Sequence, residues 1–240
     1  MNVSTKPSTN ASPNAPAANA ADPGYWLARW REGRIGFHRS TVQPWLVQAS
    51  ARLLPTGRER VFVPLCGKSV DMAWLAQRRH SVVGVDVAQP ALKSFFTENA
   101  IPATERTVAP FRVLASANVS LWLGDFFALT EKHIGSFPAI IDRAALCALP
   151  PERRAAYAQK LMRFLEPRGT LLLVGLEYDA AAMAGPPFCV PRAEALELFG
   201  AACAGELLGE KSLIDEEPHF REKGLTAVTE YALLLRRRRA

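Results

Sequence analysis

Two short apolar segments, each followed by a helical pattern, constrain the fold of this chain more than any other feature. The apolar segments are residues 60–64 and 81–87, and the helical patterns are residues 70–79 and 91–99. Two buried strands joined by a helix form a βαβ unit, in which the strands are parallel and both faces of the sheet are covered. The chain is therefore predicted to fold around a parallel sheet.

The alternation of strand and helix patterns continues towards the C-terminus. Paired strands are predicted at residues 111–123, single strands at 138–142, 170–177, 206–214 and 225–235, and helices at 151–165 and 192–199. About seven strands without an internal repeat favour an α/β fold, with one doubly wound, mostly parallel sheet in a single domain over residues 25–235. Helical patterns within residues 25–54 precede the alternation and are expected to form an N-terminal lid.

The two ends of the chain differ in composition from this body. Residues 1–24 are rich in Ala, Asn, Pro and Ser and hold no aromatic residue before Tyr25, which predicts a disordered tail. The formal net charge is +6, and the four arginines at 236–239 supply most of it, so residues 236–240 are predicted to form a basic C-terminal tag. A nearly neutral body argues against a nucleic-acid-binding surface.

Targeting and metal signals are also weak. No apolar run has the length of a membrane span and no secretory or transit pattern is present, so we expect a cytoplasmic protein that does not bind membranes. The four cysteines, at 66, 147, 189 and 203, lack CxxC spacing and a flanking histidine at ligand spacing. Neither a disulfide nor a metal site is therefore expected.

Ligands of an open parallel sheet bind at the carboxyl ends of its strands, which here predicts a cleft beside residues 64–69. This loop ends in Gly-Lys-Ser, but Phe62 stands where a phosphate-binding P-loop needs its first glycine. One glycine, Gly67, also replaces the GxGxxG of dinucleotide sites, although Asp86 stands where a ribose-binding carboxylate belongs. A ligand with a ribose and no phosphate fits both facts, and S-adenosylmethionine is such a ligand.

The adenine of that ligand would lie against Phe126 and Phe127, with Asp125 as an acceptor for its amino group. The alternative is that Asp86 and Asp125 merely end strands and cap helices, as aspartate often does. Their occurrence after successive strands favours the binding interpretation.

Seven motifs, in order along residues 25–235, carry a family resemblance. They are WLARW at 26–30, GFH at 36–38, VPLCGK at 63–68, VVGVD at 82–86, LGDFF at 123–127, DRAAL at 142–146 and GPPFCVP at 185–191. Together they resemble the thiopurine S-methyltransferases. The resemblance implies a Rossmann-like class I methyltransferase fold with seven strands, S-adenosylmethionine as methyl donor and a monomeric state. It also implies cytoplasmic methylation of sulfur in aromatic and heterocyclic thiols, with bacterial members linked to selenium and tellurium compounds.

The same resemblance assigns roles to individual residues. It places Trp26, Trp30, Leu65, Gly67, Asp86, Asp125, Phe126 and Arg143 at the donor, Phe37 at the acceptor, and Arg143 and Arg221 in catalysis. Asp86 stands where many members have Glu, so its carboxylate must approach the ribose more closely. Pro186 and Pro187 are expected to stiffen one wall of an apolar acceptor pocket.

Methyl transfer from a sulfonium needs alignment and exclusion of water rather than a protein nucleophile. Arg143 and Arg221 would favour the thiolate or order a water that takes its proton. One competing interpretation is that Asp142 only holds Arg143 in place. Another is that Cys66 and His38 form a nucleophile and a base, but a cysteine in such a loop is usually a packing residue.

Two other classes of function remain open. Enzymes that methylate amines of nucleic acids use an Asn/Asp-Pro-Pro-Tyr/Phe loop, but the loop here begins with Gly185 and follows the fifth strand rather than the fourth. A binding module that senses S-adenosylmethionine without turnover is the second alternative. Phe37, Arg143 and the two prolines on the acceptor side favour an enzyme.

Overall fold

The structure of the chain is a computed structural model that describes residues 22–239. The helices are α1 (Pro23–Arg31), α2 (Pro44–Leu53), α3 (Val70–Gln77), α4 (Gln89–Glu98), α5 (Glu131–Ile134), α6 (Pro151–Phe164), α7 (Arg192–Gly200) and α8 (Pro218–Glu222). The strands are β1 (Arg60–Pro64), β2 (Ser81–Asp86), β3 (Thr104–Val108), β4 (Phe111–Ala115), β5 (Val119–Leu123), β6 (Phe137–Arg143), β7 (Leu165–Tyr178), β8 (Cys203–Ser212) and β9 (Val228–Arg237).

These strands form one sheet in the order β3-β4-β5-β2-β1-β6-β7-β9-β8. The five central strands, β5 to β7 in that order, are parallel, and the strands at both edges are antiparallel. The predicted α/β fold is confirmed. Within residues 22–239 the sheet has nine strands rather than about seven. The strand that the sequence missed is β3, whose residues are almost all exposed and carry no apolar pattern.

Alternating side chains of the central strands bury both faces of the sheet. In β1, Phe62 packs into a core layer on one face, and Val61 and Val63 pack into a second layer on the other. Such two-sided burial explains why the parallel strands read as continuous apolar runs. The second layer also receives Leu46, Ala49 and Leu53 of α2.

Three predicted boundaries need correction. Because α2 packs into the core, the lid predicted at 25–54 is reduced to α1 and the turn that follows it, and α1 has no buried residue. Pro23 and Gly24 belong to α1 rather than to a tail, and residues 1–21 lie outside the described part of the chain. The predicted C-terminal tag at 236–240 begins inside β9.

The arginines at the end of β9 are held by the carbonyl ends of two helices. Arg237 donates to the carbonyl oxygen of Met162 at 2.8 Å, near the end of α6. Arg238 donates to the carbonyl oxygens of Gly200 and Ala201, at 2.6 and 3.0 Å, at the end of α7. Helix C-termini leave carbonyl groups without intrahelical partners, so these two arginines are structural.

Candidate active site

The carboxyl ends of β1 and β2 are joined through Asp86. Its Oδ2 accepts a hydrogen bond from the Gly67 backbone N–H at 2.8 Å, and its Oδ1 accepts one from the Ala88 N–H at 2.8 Å. Burial raises the pKa of Asp86, and the backbone N–H donors counteract part of that shift. Each carboxylate oxygen has more than one lone pair, so Asp86 can still accept from a ligand's hydroxyl groups.

The loop between β1 and α3, residues 65–69, has a backbone shape that suits close approach of a ligand. Leu65 and Gly67 both have positive φ angles, of 46° and 51°. A Cβ on Gly67 would lie 2.9 Å from Cζ2 of Trp30, so only glycine fits beneath that ring. The loop is thus tied on one side to Asp86 and covered on the other by α1.

Trp26, Trp30 and Phe37 form an aromatic cluster over this loop. The Phe37 ring lies 5.5 Å from Trp26 and 5.6 Å from Trp30, both in edge-to-face geometry. Phe37 remains 36% exposed, unusually high for so large an apolar side chain. The structure therefore brings together the predicted residues of the lid and those of the Gly67 loop.

Arg143, the last residue of β6, is held by a carboxylate that the sequence analysis did not consider. Its Nη1 donates to Oδ2 of Asp71 at 3.0 Å. The Arg143 side chain is 14% exposed and the Asp71 side chain only 1%. Asp71 lies in the first turn of α3, directly after the Gly67 loop.

The alternative in which Asp142 holds Arg143 is wrong. Asp142 is completely buried and accepts hydrogen bonds from the N–H groups of Ala145 and Leu146 and from the Tyr157 hydroxyl, at 2.8 to 3.1 Å. Burial raises the pKa of Asp142 to about 6. Neighbouring residues of a strand point to opposite faces, so Asp142 and Arg143 diverge.

On the predicted adenine side, the two residues of the pair differ in exposure, and Asp125 caps the short turn that follows β5. Asp125 is exposed, and its carboxylate accepts from the Phe127 N–H at 2.9 Å. The Phe126 ring is 2% exposed and packs against Tyr157 at 5.0 Å and Phe164 at 6.2 Å. Phe126 is thus a core residue, and the prediction that its ring contacts adenine is wrong. Phe127, with the Arg153 guanidinium 4.3 Å from its ring, is the half-buried neighbour.

Arg221 does not reach this site. It lies in α8, its side chain is 57% exposed, and its guanidinium pairs with Asp215 and with the Ile214 carbonyl oxygen. The sequence analysis instead missed Arg39, whose guanidinium pairs with Glu217. Burial and the positive charge of Arg143 lower the pKa of Arg39. The position of Arg39 directly after the GFH motif was the signal in the sequence that could have identified it.

The GPPFCVP segment is fastened beside the end of β6. The Phe188 N–H donates to the Cys147 carbonyl oxygen at 2.7 Å, and the Tyr178 hydroxyl donates to the Pro187 carbonyl oxygen at 2.5 Å. Pro186 and Pro187 both follow cis peptide bonds. The two hydrogen bonds place the segment next to the turn that follows Arg143.

The nucleophile and base interpretation of Cys66 and His38 does not survive. Cys66 is buried, and burial together with the charge of Asp86 raises the pKa of its thiol well above the usual range. Burial lowers the pKa of His38, and the positive charges of Lys68 and Arg143 lower it further. A thiol that stays protonated is a packing residue.

Residues 22–239 contain neither a cluster of metal ligands nor a membrane-spanning helix. No three or more His, Cys, Asp or Glu side chains are grouped there so that they would hold a metal ion. None of the helices in that part of the chain has both the length and the apolar character needed to cross a bilayer.

Sequence comparisons identify the relatives of this chain. The family model for thiopurine S-methyltransferase matches residues 21–238. A thiopurine S-methyltransferase of Methylococcus capsulatus is 44% identical over 216 residues, covering 90% of this chain and 97% of the relative. One of Nitrosospira multiformis is 39% identical over 216 residues, covering 90% and 98%.

Solved structures of lower identity share the fold. A Burkholderia thailandensis 1,6-didemethyltoxoflavin-N1-methyltransferase with bound S-adenosylhomocysteine aligns with a TM-score of 0.60 at 18% identity, covering 97% of this chain and 94% of its own. An S-adenosylmethionine-dependent methyltransferase from Anabaena variabilis aligns with a TM-score of 0.60 at 20% identity, covering 92% and 97%. From the family match and the identities, the chain belongs to the thiopurine S-methyltransferase family and is an S-adenosylmethionine-dependent methyltransferase.

Proposed function

We propose that this enzyme methylates the sulfur of heteroaromatic thiols of the thiopurine kind. The observation that carries the proposal is the aromatic cluster, which lies on the Gly67 loop and keeps Phe37 partly exposed. The partly exposed Phe37 ring and the largely buried cation of Arg143 together suit an aromatic ring that bears an ionised thiol.

Residues on the β1 and β2 side fit the methyl donor. Asp86 would accept from the two ribose hydroxyl groups while it keeps its bonds to Gly67 and Ala88. The missing Cβ of Gly67 lets the Trp30 ring lie directly on the loop that would contact the donor. Asp125, exposed at the end of β5, would accept from the adenine amino group. S-adenosylmethionine bound there supplies an electrophilic methyl group.

Residues on the β6 and β7 side would orient the acceptor. Phe37 offers its ring, and Pro186 and Pro187 limit the width of the pocket. Arg143 would stabilise the sulfur as a thiolate, whose proton is lost to solvent before methyl transfer. A heterocyclic thiol is acidic enough that no strong base is required, so alignment and exclusion of water are the main contributions of the protein.

The remaining expectations about partners and location come from the family resemblance and from the lack of targeting signals. We propose a monomer that acts in the cytoplasm on small thiols, with selenium or tellurium compounds as further acceptors that the family resemblance implies. Amines of nucleic acids fit less well, because Gly185 has no side-chain acceptor for an amine.

A matched panel of purines tests the acceptor class. Purified protein is incubated with methyl-labelled S-adenosylmethionine and 6-mercaptopurine, adenine or hypoxanthine, which differ in the atom at one ring position; thiophenol and selenite extend the panel. The proposal predicts transfer to the thiols and little or none to adenine or hypoxanthine. Donor binding by calorimetry without transfer to any acceptor would instead identify a non-catalytic binding module.

A further inference from the structure

We infer that Asp71 is the positioning residue that holds Arg143 in the orientation needed for the acceptor thiolate. This inference rests on the proposed role of Arg143. The two residues come from different parts of the fold, since Asp71 begins α3 and Arg143 ends β6. Among residues 22–239, Asp71 is the carboxylate that the Arg143 guanidinium reaches.

Three segments of the chain meet at the Asp71 carboxylate. Oδ2 lies 3.0 Å from Nη1 of Arg143 and 3.1 Å from Oγ of Ser69. Oδ1 accepts the backbone N–H of Gln43, which caps α2, at 2.8 Å. The carboxylate thus fixes the end of β6 relative to the Gly67 loop and to the segment that follows the lid.

The charge of Asp71 is needed by Arg143 more than by the other two donors. An amide oxygen would still accept from the Gln43 N–H, and the Ser69 hydroxyl can either donate or accept. A guanidinium has donors only, so an amide nitrogen in place of Oδ2 would face it without a hydrogen bond.

Burial makes this arrangement effective. Asp71 is 1% exposed and Arg143 only 14%, so the ion pair is poorly screened by solvent. An ion pair in this position leaves Arg143 with little freedom to turn away from the cleft. The remaining N–H groups of the planar Arg143 guanidinium are then held in a fixed direction.

A double-mutant cycle tests the assignment. Asp71→Asn, Arg143→Ala and the double variant are compared for kcat and KM with 6-mercaptopurine and for donor affinity by calorimetry. We expect Asp71→Asn to lower kcat/KM by about tenfold or more, with donor affinity changed less than about twofold. In the Arg143→Ala background, Asp71→Asn should cause little further loss, because the two residues act as one unit. Asp71→Glu, which keeps the charge, should restore part of the activity.

Glu59→Gln is the matched control, because Glu59 is also a buried carboxylate, 5% exposed, but precedes β1 at the opposite end of the strand. This variant should lose stability and keep its kcat/KM. The inference would be overturned if the fold losses in kcat/KM of Asp71→Asn and Arg143→Ala multiplied in the double variant. Normal turnover in Asp71→Asn would also overturn it. The same cycle is repeated without turnover by measuring the affinity of each variant for the acceptor while the protein is saturated with S-adenosylhomocysteine. If wild-type protein methylates no thiol, the proposed function fails; if it does and the cycle shows no coupling, only the inference fails.

Discussion

Replacing Asp86 with alanine separates its possible role as a donor ligand from its role as a structural tie. The variant removes the acceptor for two backbone N–H groups, those of Gly67 and Ala88, each at 2.8 Å. Losing the partner of a buried donor costs roughly 1–3 kcal/mol, and relief of the buried charge offsets part of that cost. We therefore expect the free energy of unfolding to fall by about 1–3 kcal/mol.

Donor affinity should fall independently of stability. Two ribose hydroxyl bonds to a carboxylate contribute about 1.5–3 kcal/mol each, so their loss predicts binding weakened by about two orders of magnitude or more. Asp86→Glu keeps the charge and should bind the donor more tightly than Asp86→Ala. The assay is calorimetric titration with S-adenosylmethionine, together with urea unfolding of each variant.

Asp179→Ala serves as the control for this experiment. Its carboxylate accepts one backbone N–H, that of Ala181 at 3.0 Å, and lies at the surface beyond β7. It should bind the donor normally. If Asp86→Ala lost stability and still bound S-adenosylmethionine within about twofold of wild type, Asp86 would only cap the strand and the argument for the ribose site would be refuted.

Three further outcomes are expected. Gly67→Ala places a Cβ 2.9 Å from Trp30 at a φ of 51°, so we expect roughly 1–2 kcal/mol lower stability by urea unfolding, partly relieved in a Trp30→Ala background. In steady-state kinetics Arg143→Ala should lower kcat/KM by about tenfold or more, and Arg221→Ala should leave it within about twofold; the reverse order would contradict the placement of the two arginines. Burial raises the pKa of Asp142 to about 6, so its contribution to stability is greatest at low pH and is lost as the pH rises through 6. The wild type should therefore gain up to about 3 kcal/mol relative to Asp142→Asn between pH 7 and pH 4, measured by urea unfolding at both values, and a flat difference would count against the shift.

Local patterns predicted the centre of the fold and the first half of the site. The apolar run of β1, the loop and the strand end at Asp86 are close in sequence, and a parallel βαβ unit brings them together whatever the rest of the chain does. The edge strand β3 was missed because its side chains face solvent on both sides. The end of β9 was misplaced because Arg237 and Arg238 resemble a tail until the helix carbonyls that they contact are known.

The second half of the site depends on contacts between distant segments, and sequence alone could not supply them. Asp71 and Arg143 are 72 residues apart, and nothing in either segment indicates the partner. An aromatic residue after a strand is equally typical of a core and of a pocket, so the burial of Phe126 could not be predicted from the sequence. Arg39 was not considered, because nothing in its segment indicates the pairing with Glu217 at the start of α8.

The position of the transferred methyl group on 6-mercaptopurine tests the central claim most directly. Product formed from methyl-labelled S-adenosylmethionine is isolated, and the methyl position is assigned by carbon-13 NMR and mass spectrometry. Our account predicts the S-methyl thioether as the main product. A methyl group on a ring nitrogen, or a protein that binds the donor and forms no methylated thiol, would contradict it.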